Sequence, residues 1–339
     1  LIDRAAANRR VSDIAAQYGI AIDPTQRVDS VPVGVLQRVE IVKALYREAR
    51  VLILDEPTAV LTPQETERLF DVLRALKADG RTIILITHKL NEVMAISDRV
   101  TVLRDGRRVA QLVTADSSPA EITRHMTGRD VDLSTPPPAN APGDVVLDVR
   151  SLTVPGSGER DSVADATLTV RAGEVVGIAG VAGNGQVELA EAIIGMRRTS
   201  DGAIRIKNQD LSQSSIAERR DGGIAYIPED RHAVGSAGTA SAVDNLALGH
   251  HRTAPILQRG LLSRGSMVDH AKRLITRFGV KIASPTTSVG TLSGGNLQKV
   301  VVARELDYRS PLLIAEQPTR GVDIGAIESI HRELCEYRD

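Results

Sequence analysis

The chain has 339 residues, of which 42% are hydrophobic and 25% charged, which is ordinary for globular domains and enough for two of them. A formal net charge of −1 gives no overall electrostatic reason to expect nucleic-acid binding, and the single cysteine, Cys335, excludes an intrachain disulfide framework and fits a reducing cytosol. The longest apolar stretches, such as Thr82–Thr87, have the length of a strand and not of a membrane span.

The front part of the chain alternates between helical and strand patterns. The predicted elements are helices at 4–18, Val35–Glu48, Pro63–Ala78 and Asn91–Ile96, strands at Val51–Leu54 and Thr82–Ile86, and a hairpin of Val100–Arg104 with Arg108–Leu112. The third helix has a typical start, because Thr62 can cap it, Pro63 suits its first turn and Glu65 completes a capping box. Strands that alternate with helices favour a mostly parallel sheet with helices on both faces.

The rear part follows a short segment, residues 134–143, that is rich in proline and is predicted to be a linker. After it, strands are predicted at Val145–Val149 and Ala166–Val170. A buried strand predicted at Val175–Ala179 leads into a glycine-rich turn and a helix at Val187–Ile194. The sequence therefore predicts a second α/β region behind the linker.

A segment of the front part is repeated in the rear part. Thr291–Gln298 followed by Leu312–Thr319 has a degenerate counterpart in Val31–Gln37 followed by Val51–Thr58. In both copies 23 positions separate the landmark glycine from the landmark proline, and the copies lie 261 residues apart. A repeat of this size predicts two copies of one domain.

The copies are expected to span residues 1–133 and 144–339, one on each side of the linker. The rear copy has a long segment ahead of the repeated landmarks, whereas the front copy has only a short one. We therefore expect the front copy to lack its first half, the rear copy to lack its last strand, and the chain to be a fragment.

A glycine-rich turn in the rear copy has the spacing of a phosphate-binding P-loop. It runs from Gly180 to Val187, between the predicted strand and helix, where backbone N–H groups and a helix N-terminus can cradle phosphates. In that motif a lysine reaches the terminal phosphates and a hydroxyl holds Mg²⁺, but these positions are Gln186 and Val187. The cradle is predicted to remain without its cation and its metal ligand.

Two carboxylates follow the apolar strand of the front copy. Asp55 suits the binding of Mg²⁺ through water, and Glu56 suits the orientation of an attacking water as a base. The rear pair is Glu316 and Gln317, and a neutral glutamine cannot act as a base, so hydrolysis there is predicted to be crippled. His88, at the end of the next strand, suits a γ-phosphate sensor.

Together these elements resemble an ABC-type ATPase. The matching motifs are the signature Leu292–Asn296, the Walker B strand Val51–Glu56, the D-loop Asp323, the switch histidine His88 and a degenerate Walker A at Gly180–Val187. The resemblance implies an α/β P-loop NTPase fold in two incomplete tandem copies, with a mostly parallel sheet flanked by helices and with antiparallel β and helical subdomains. The motifs Pro228–Arg231 and Pro318–Asp323 are similar to those of tandem ATPases of sugar and nucleoside importers. Gln317 with Gly325–Glu328 is more similar to the nucleoside-import branch.

In this family each nucleotide site joins the P-loop of one domain to the signature of the other. The resemblance assigns to the hydrolytic site the catalytic residues Glu56 and His88, Asp55 for Mg²⁺, and the signature residues Ser293, Gly294, Gly295 and Asn296. It assigns to the second site Gly180, Gly183, Asn184, Gly185, Gln186, Val187, Glu316 and Gln317, with Val31–Val35, where Pro32 replaces the signature serine. The implied cofactors are ATP and Mg²⁺. We expect one working site, a second that binds nucleotide weakly or without hydrolysis, and negligible hydrolysis by the fragment alone.

The implied partners are two integral-membrane permease subunits and, indirectly, an extracellular or periplasmic solute-binding lipoprotein, with no nucleic acid. This would place the protein on the cytoplasmic face of the cell membrane. One alternative is a soluble double-ABC ATPase of ribosomes or DNA repair, which the short linker disfavours. Another is a non-catalytic pseudo-ATPase scaffold, which Gln186, Val187 and Gln317 would suit.

Overall fold

The computed structural model describes residues 3–28, 33–58, 61–134, 141–156, 160–180, 183–252 and 254–339. The chain divides into two units, Leu1–Val131 and Asp132–Asp339. Most of the predicted linker (135–140), Val31 and Pro32 of the front repeat, and Val181 and Ala182 of the glycine-rich turn lie outside the described residues. Within the described ranges, no helix has both the length and the apolar character needed to cross a membrane.

The first unit contains every element predicted for the front of the chain. Its helices are α1 (Arg4–Gln17), α2 (Val33–Tyr46), α3 (Pro63–Ala78), α4 (Leu90–Ile96) and α5 (Pro119–Thr127). Its strands are β1 (Val51–Asp55), β2 (Thr82–Ile86), β3 (Arg99–Arg104) and β4 (Arg107–Val113). The predicted capping box of α3 is confirmed, since Thr62 accepts from the Glu65 N–H while the Glu65 carboxylate accepts from the Thr62 N–H.

Strands β1 and β2 are parallel neighbours, with Asp55 paired to Ile86, so their carboxyl ends lie at the same edge. One face of this pair packs into a core that buries Leu52 together with Leu73 and Leu76 of α3. On the other face Ile53 and Ile84 are exposed. The alternation of strands and helices predicted helices on both faces, and residues of α1, α2, α3 and α4 pack in the core that buries Leu52.

The second unit combines an antiparallel sheet, a parallel pair and a group of helices. Its helices are α6 (Gln186–Ile194), α7 (Ile216–Asp221), α8 (Ala242–Ala247), α9 (Arg264–Arg277), α10 (Gly294–Asp307) and α11 (Ile324–Arg338). Its strands are β5 (Val145–Val154), β6 (Val163–Arg171), β7 (Asp201–Ile206), β8 (Gln209–Asp210), β9 (Ile224–Ile227), β10 (Leu257–Gln258), β11 (Leu261–Leu262) and β12 (Leu312–Ala315).

Two helices of this unit begin at the predicted phosphate-binding motifs. Strands β6, β5, β7 and β8 form an antiparallel sheet in that order, and its apolar face packs with α6. Strands β9 and β12 pair in parallel, with Leu312 opposite Ile224. Helix α10 is buried along most of its length and packs with α8 and α9. The packing of α6 and α10 therefore positions the glycine-rich turn and the signature.

The prediction of a buried strand at Val175–Ala179 is wrong. These residues form no β-ladder in the structure, and Val175, Val176 and Ile178 are exposed. A strand is made by backbone hydrogen bonds to a neighbour, whereas an apolar run in a sequence specifies only side chains that favour burial. Here β9 and β12 pair with each other, and the segment before the glycine-rich turn runs without a described strand partner.

Candidate functional site

The carboxyl edge of β1 and β2 carries the acidic pair of the first unit. Asp55 ends β1 with an exposed carboxylate, and the N–H of Glu56 donates to the Ile86 carbonyl at 2.8 Å. Glu56 has a φ of +43°, a left-handed conformation that costs a non-glycine residue about 1 kcal/mol or more. Adjacent carboxylate oxygens at one sheet edge are the hard ligands that Mg²⁺ prefers, so Asp55 fits that ion.

Glu56 and His88 are in direct contact. The His88 Nδ1 lies 2.9 Å from the Glu56 Oε1, with 42% of the glutamate side chain and 20% of the histidine side chain exposed. A carboxylate accepts only, so in the neutral imidazole the proton of this bond lies on Nδ1. The structure thus brings together the two residues that the sequence predicted as catalytic. The Glu56 carboxylate is oriented by His88 and remains open to solvent.

The described part of the glycine-rich turn, from Gly183 onward, has two glycines in left-handed conformations ahead of α6. Gly183 and Gly185 have φ values of +84° and +96°, and Gly185 caps α6. A Cβ on Gly185 would clash with the Ser162 carbonyl, so only glycine fits there. The N-terminus of α6 therefore directly follows these glycines, and backbone N–H groups at a helix N-terminus can bind phosphate.

The side chain of Gln186 lies across this turn. Its Oε1 accepts from the Asn184 N–H at 3.2 Å, and a Cβ on Gly180 would clash with its Nε2. The amide therefore engages a backbone donor that a phosphate would otherwise use. Val187 brings a hydrocarbon side chain to the position of the Mg²⁺ ligand, so this set of residues does not fit the metal.

The carboxyl end of β12 mirrors the end of β1. Gln317 has a φ of +42°, close to the φ of Glu56. The two residues are equivalent positions of the repeat, 261 residues apart. Its Nε2 donates to the Glu229 Oε1 at 3.1 Å, and Arg320 forms an ion pair with the same oxygen. The backbone at this end is retained, whereas the group at the base position is a neutral amide that acts as a donor.

Glu316 occupies the position of the metal-binding carboxylate in the second unit. Burial raises its pKa to about 7, and the negative charges of Glu191 and Glu188 add to that effect, although a hydrogen bond with Tyr226 opposes it. Its Oε1 is buried without a hydrogen-bond partner. This carboxyl is partly protonated at neutral pH, which weakens it as a ligand for a cation.

We expect Glu316→Gln to stabilise the protein against thermal unfolding at pH 8 and to have a much smaller effect at pH 5. A carboxyl whose pKa rises on folding from 4.5 to about 7 contributes stability below 4.5 and loses it as the pH rises through 7. The difference at pH 8 should be about 1–2 kcal/mol after allowance for solvent screening. Exposed Glu336→Gln is the control, and equal effects of Glu316→Gln at both pH values would contradict the prediction.

The signature residues form the start of α10. Ser293 caps the helix, and its Oγ accepts from the Asn296 Nδ2 at 2.9 Å, while the Asn296 Oδ1 accepts from the Lys281 N–H at 2.7 Å. Gly294 and Gly295 are the first two helical residues, where backbone N–H groups have no intrahelical acceptor. Such a helix start favours anions.

Arg231 lies against this helix start, which the sequence did not indicate. A Cβ on Gly294 would clash with its guanidinium, and its NH1 donates to the Arg320 carbonyl at 2.6 Å. The guanidinium therefore links the signature to the segment before Asp323, whose carboxylate caps α11. In the sequence, Arg231 stood out only as part of the motif Pro228–Arg231, and that motif did not specify the contact with Gly294.

The structure also brings together His250, His270 and Asp307, whose potential ligand atoms lie within 4.8 Å of one another. Burial lowers the pKa of both histidines. Arg273 donates to both Asp307 oxygens, at 2.9 and 3.1 Å, and to the His270 Nδ1 at 3.1 Å. Arg273 therefore already supplies a positive charge to this cluster. No sequence motif indicated the cluster, because its members are distant in sequence.

Comparison with known proteins agrees with these motifs. A family model described as ABC transporter matches residues 2–59 and 163–320. Glucose import ATP-binding protein TsgD13 of Haloferax volcanii is 46% identical over 332 residues, which cover 97% of this chain and 60% of that protein. Nucleoside import ATP-binding protein NupA of Lactococcus lactis subsp. cremoris is 40% identical over 338 residues, which cover 100% of this chain and 67% of that protein.

A solved structure shares the fold. It is the complex of archaeal ribosomal stalk protein aP1 with the archaeal ribosome recycling factor aABCE1, with a TM-score of 0.64 and 18% identity over 99% of this chain and 62% of that chain. The chain spans 60% and 67% of the lengths of the two curated relatives. The matched ranges take in the acidic pair, the glycine-rich turn and the signature, and they exceed half of the sequence. With its P-loop NTPase fold, this chain belongs to the ABC transporter family.

Proposed function

We propose that this chain is part of the ATP-hydrolysing subunit of an ABC importer, and that hydrolysis depends on Glu56 and His88. The contact between the His88 Nδ1 and the Glu56 carboxylate, at the edge where Asp55 ends β1, carries this proposal. Phosphoryl transfer to water needs an oriented nucleophile and neutralised charge more than covalent chemistry from the protein. These three side chains provide a base, a group that orients it, and a metal ligand.

In the proposed reaction Glu56 accepts a hydrogen bond from the attacking water and takes up its proton. His88 donates from Nδ1 to the carboxylate and holds it at the shared carboxyl edge of β1 and β2. ATP would supply the phosphoryl group, and Mg²⁺, held through water by Asp55, would neutralise its charge. The helix N–H groups at Ser293–Gly295 of the second unit are proposed to bind a phosphate of ATP.

The site of the second unit is proposed to bind nucleotide weakly or to hold it without hydrolysis. Gln317 replaces the base, Gln186 replaces the phosphate-binding lysine, and Val187 replaces the hydroxyl that would hold the metal. The Gln186 amide is bonded to the loop itself, and the Gln317 amide is bonded to Glu229. Each replacement removes a different requirement of hydrolysis, so this unit is proposed not to add a second catalytic site.

The names of the relatives support import as the process that hydrolysis would drive. One is named for glucose import and the other for nucleoside import. We propose two integral-membrane permease subunits as direct partners, at the cytoplasmic face of the membrane, and a solute-binding lipoprotein as an indirect one. Gln317 and the segment Gly325–Glu328 favour nucleosides over sugars as the solute, on the resemblance alone.

Uptake of labelled solutes tests this function. We expect deletion of the gene to reduce nucleoside uptake at least about tenfold, and the wild-type gene, but not Glu56→Gln, to restore it. Labelled ribose and glucose, measured in the same strains, distinguish nucleoside from sugar import. Unchanged uptake of all these solutes, together with copurification with ribosomes in place of permeases, would contradict import and favour a soluble ATPase.

A further inference from the structure

We propose that Glu92 is a positioning residue for the hydrolytic edge of the first unit. Glu92 lies in the first turn of α4 and connects the loop after β1 to the loop after β2. These two loops carry Glu56 and His88, so the proposal rests on the function proposed above. It assigns a role to a buried carboxylate that the proposed reaction does not itself use.

The Glu92 carboxylate makes one hydrogen bond to each loop. Its Oε1 accepts from the Thr58 hydroxyl, and its Oε2 accepts from the Thr87 hydroxyl at 3.0 Å. Thr58 follows Glu56 by two residues, and Thr87 immediately precedes His88. Glu92 is only 6% exposed and Thr58 only 1%, so water does not compete freely for these bonds.

Lys89 closes the network. Its Nζ donates to the Thr58 carbonyl at 3.0 Å and to the Thr58 Oγ1 at 3.2 Å, and lies 3.2 Å from the Glu92 Oε1. Its backbone N–H donates to the Thr87 Oγ1 at 3.0 Å. The buried negative charge of Glu92 is therefore paired with an ammonium group and two hydroxyls, which compensates its loss of solvation.

The network lies just beyond the last backbone bond between the two strands, which the Glu56 N–H donates to the Ile86 carbonyl. The pairing of β1 with β2 ends at Asp55 and Ile86, and beyond it Glu56 is in a left-handed conformation. The distance between the base and the histidine then depends on how the two loops are held together. Catalytic groups need placement to a fraction of an ångström, and a displacement near 1 Å can cost about a hundredfold in rate.

Glu92 bonds Thr58 and Thr87 and not Glu56 or His88, so its proposed role is to position the catalytic groups and not to take part in the reaction. Glu92→Gln keeps the volume but loses the charge that pairs with Lys89 and replaces one acceptor with a donor. Glu92→Asp keeps the charge but shortens the side chain by one methylene, so it cannot span both hydroxyls as well. Both variants should loosen the loops without removing a group that touches ATP.

The test is steady-state ATPase activity of the full-length protein, together with ATP binding and thermal unfolding. We expect Glu92→Gln to lower kcat roughly tenfold to a hundredfold and to change the KM for ATP by less than about twofold. Thr58→Val and Thr87→Val should each lower kcat less, and neither should add its full effect to that of Glu92→Gln. Glu67→Gln, which breaks an exposed ion pair on α3, is the matched control and should leave kcat unchanged.

Two results would overturn the proposal. One is a kcat of folded Glu92→Gln within about twofold of wild type while Glu56→Gln abolishes turnover, which leaves the proposed function intact. If Glu92→Gln does not fold, the double variant Thr58→Val with Thr87→Val decides, and unchanged kcat in that folded protein is the second result. Retained turnover in Glu56→Gln would instead contradict the proposed function itself.

Discussion

Glu56→Gln in the full-length protein is expected to remove nearly all ATP turnover, with a loss of about 10²–10⁴-fold in kcat. The amide keeps the shape of the carboxylate but cannot accept the proton of the attacking water. It can still accept from the His88 Nδ1, so the loop geometry should be retained. Phosphate release under saturating ATP and Mg²⁺ measures kcat, and a binding assay with a fluorescent nucleotide should show that affinity is preserved.

The matched control for this prediction is Gln317→Ala, at the equivalent position of the second unit. Gln317 and Glu56 share a left-handed backbone, but the Gln317 amide donates to Glu229 and contributes no base. We expect kcat of this variant to stay within about threefold of wild type, since only one hydrogen bond is lost. If Gln317→Ala lost its activity while Glu56→Gln kept most of it, the assignment of the two units would be reversed.

The double variant Gln186→Lys with Val187→Ser is expected to raise the affinity of the second unit for Mg²⁺-ATP about tenfold to a hundredfold. The lysine adds an ammonium group for the terminal phosphates, a charged hydrogen bond of about 1.5–3 kcal/mol, and the serine adds a ligand for Mg²⁺. The Gln186→Lys change also removes the amide that accepts from the Asn184 N–H. The gain should therefore depend on Mg²⁺.

Crosslinking with an azido-ATP, followed by peptide mapping, assigns bound nucleotide to the second unit, and a Glu56→Gln background prevents its consumption. Gln186→Ala is the control, because it frees the turn without adding a charge and should give only a small part of the gain. The full gain from Gln186→Ala alone would show that the bonded amide, and not the missing ammonium, limits binding. No gain from the double variant would contradict a preserved phosphate cradle.

The local features of the fold were predictable because neighbouring residues determine them. The capping box of α3 depends on Thr62 and Glu65, and the hairpin of β3 and β4 turns at Asp105 and Gly106, which both have positive φ. Hydroxyl, carboxylate and turn preferences of this kind act over a few residues. The strand predicted at Val175–Ala179 failed because its formation depends on a distant partner.

The residue types of the candidate site were also readable in advance. The repeat aligns Glu56 with Gln317 without a gap, so the sequence indicates a base at one position and its absence at the other. The spacing of the glycine-rich motif indicates a lost lysine at Gln186. It did not indicate the contact of Arg231 with Gly294, because the two lie far apart along the chain. Motif spacing specifies which chemistry is available, and it does not specify which other groups approach it.

The sequence by itself determined the family motifs, the repeat and the chemical difference between Asp55–Glu56 and its counterpart Glu316–Gln317, because these follow from covalent order and side-chain type. Only the tertiary structure decided that His88 contacts Glu56, that Gln186 bonds its own loop, and that Glu92 joins two loops. It also decided the raised pKa of Glu316, which comes from burial. Hydrogen bonds and desolvation depend on distances between residues that the chain brings together only by folding.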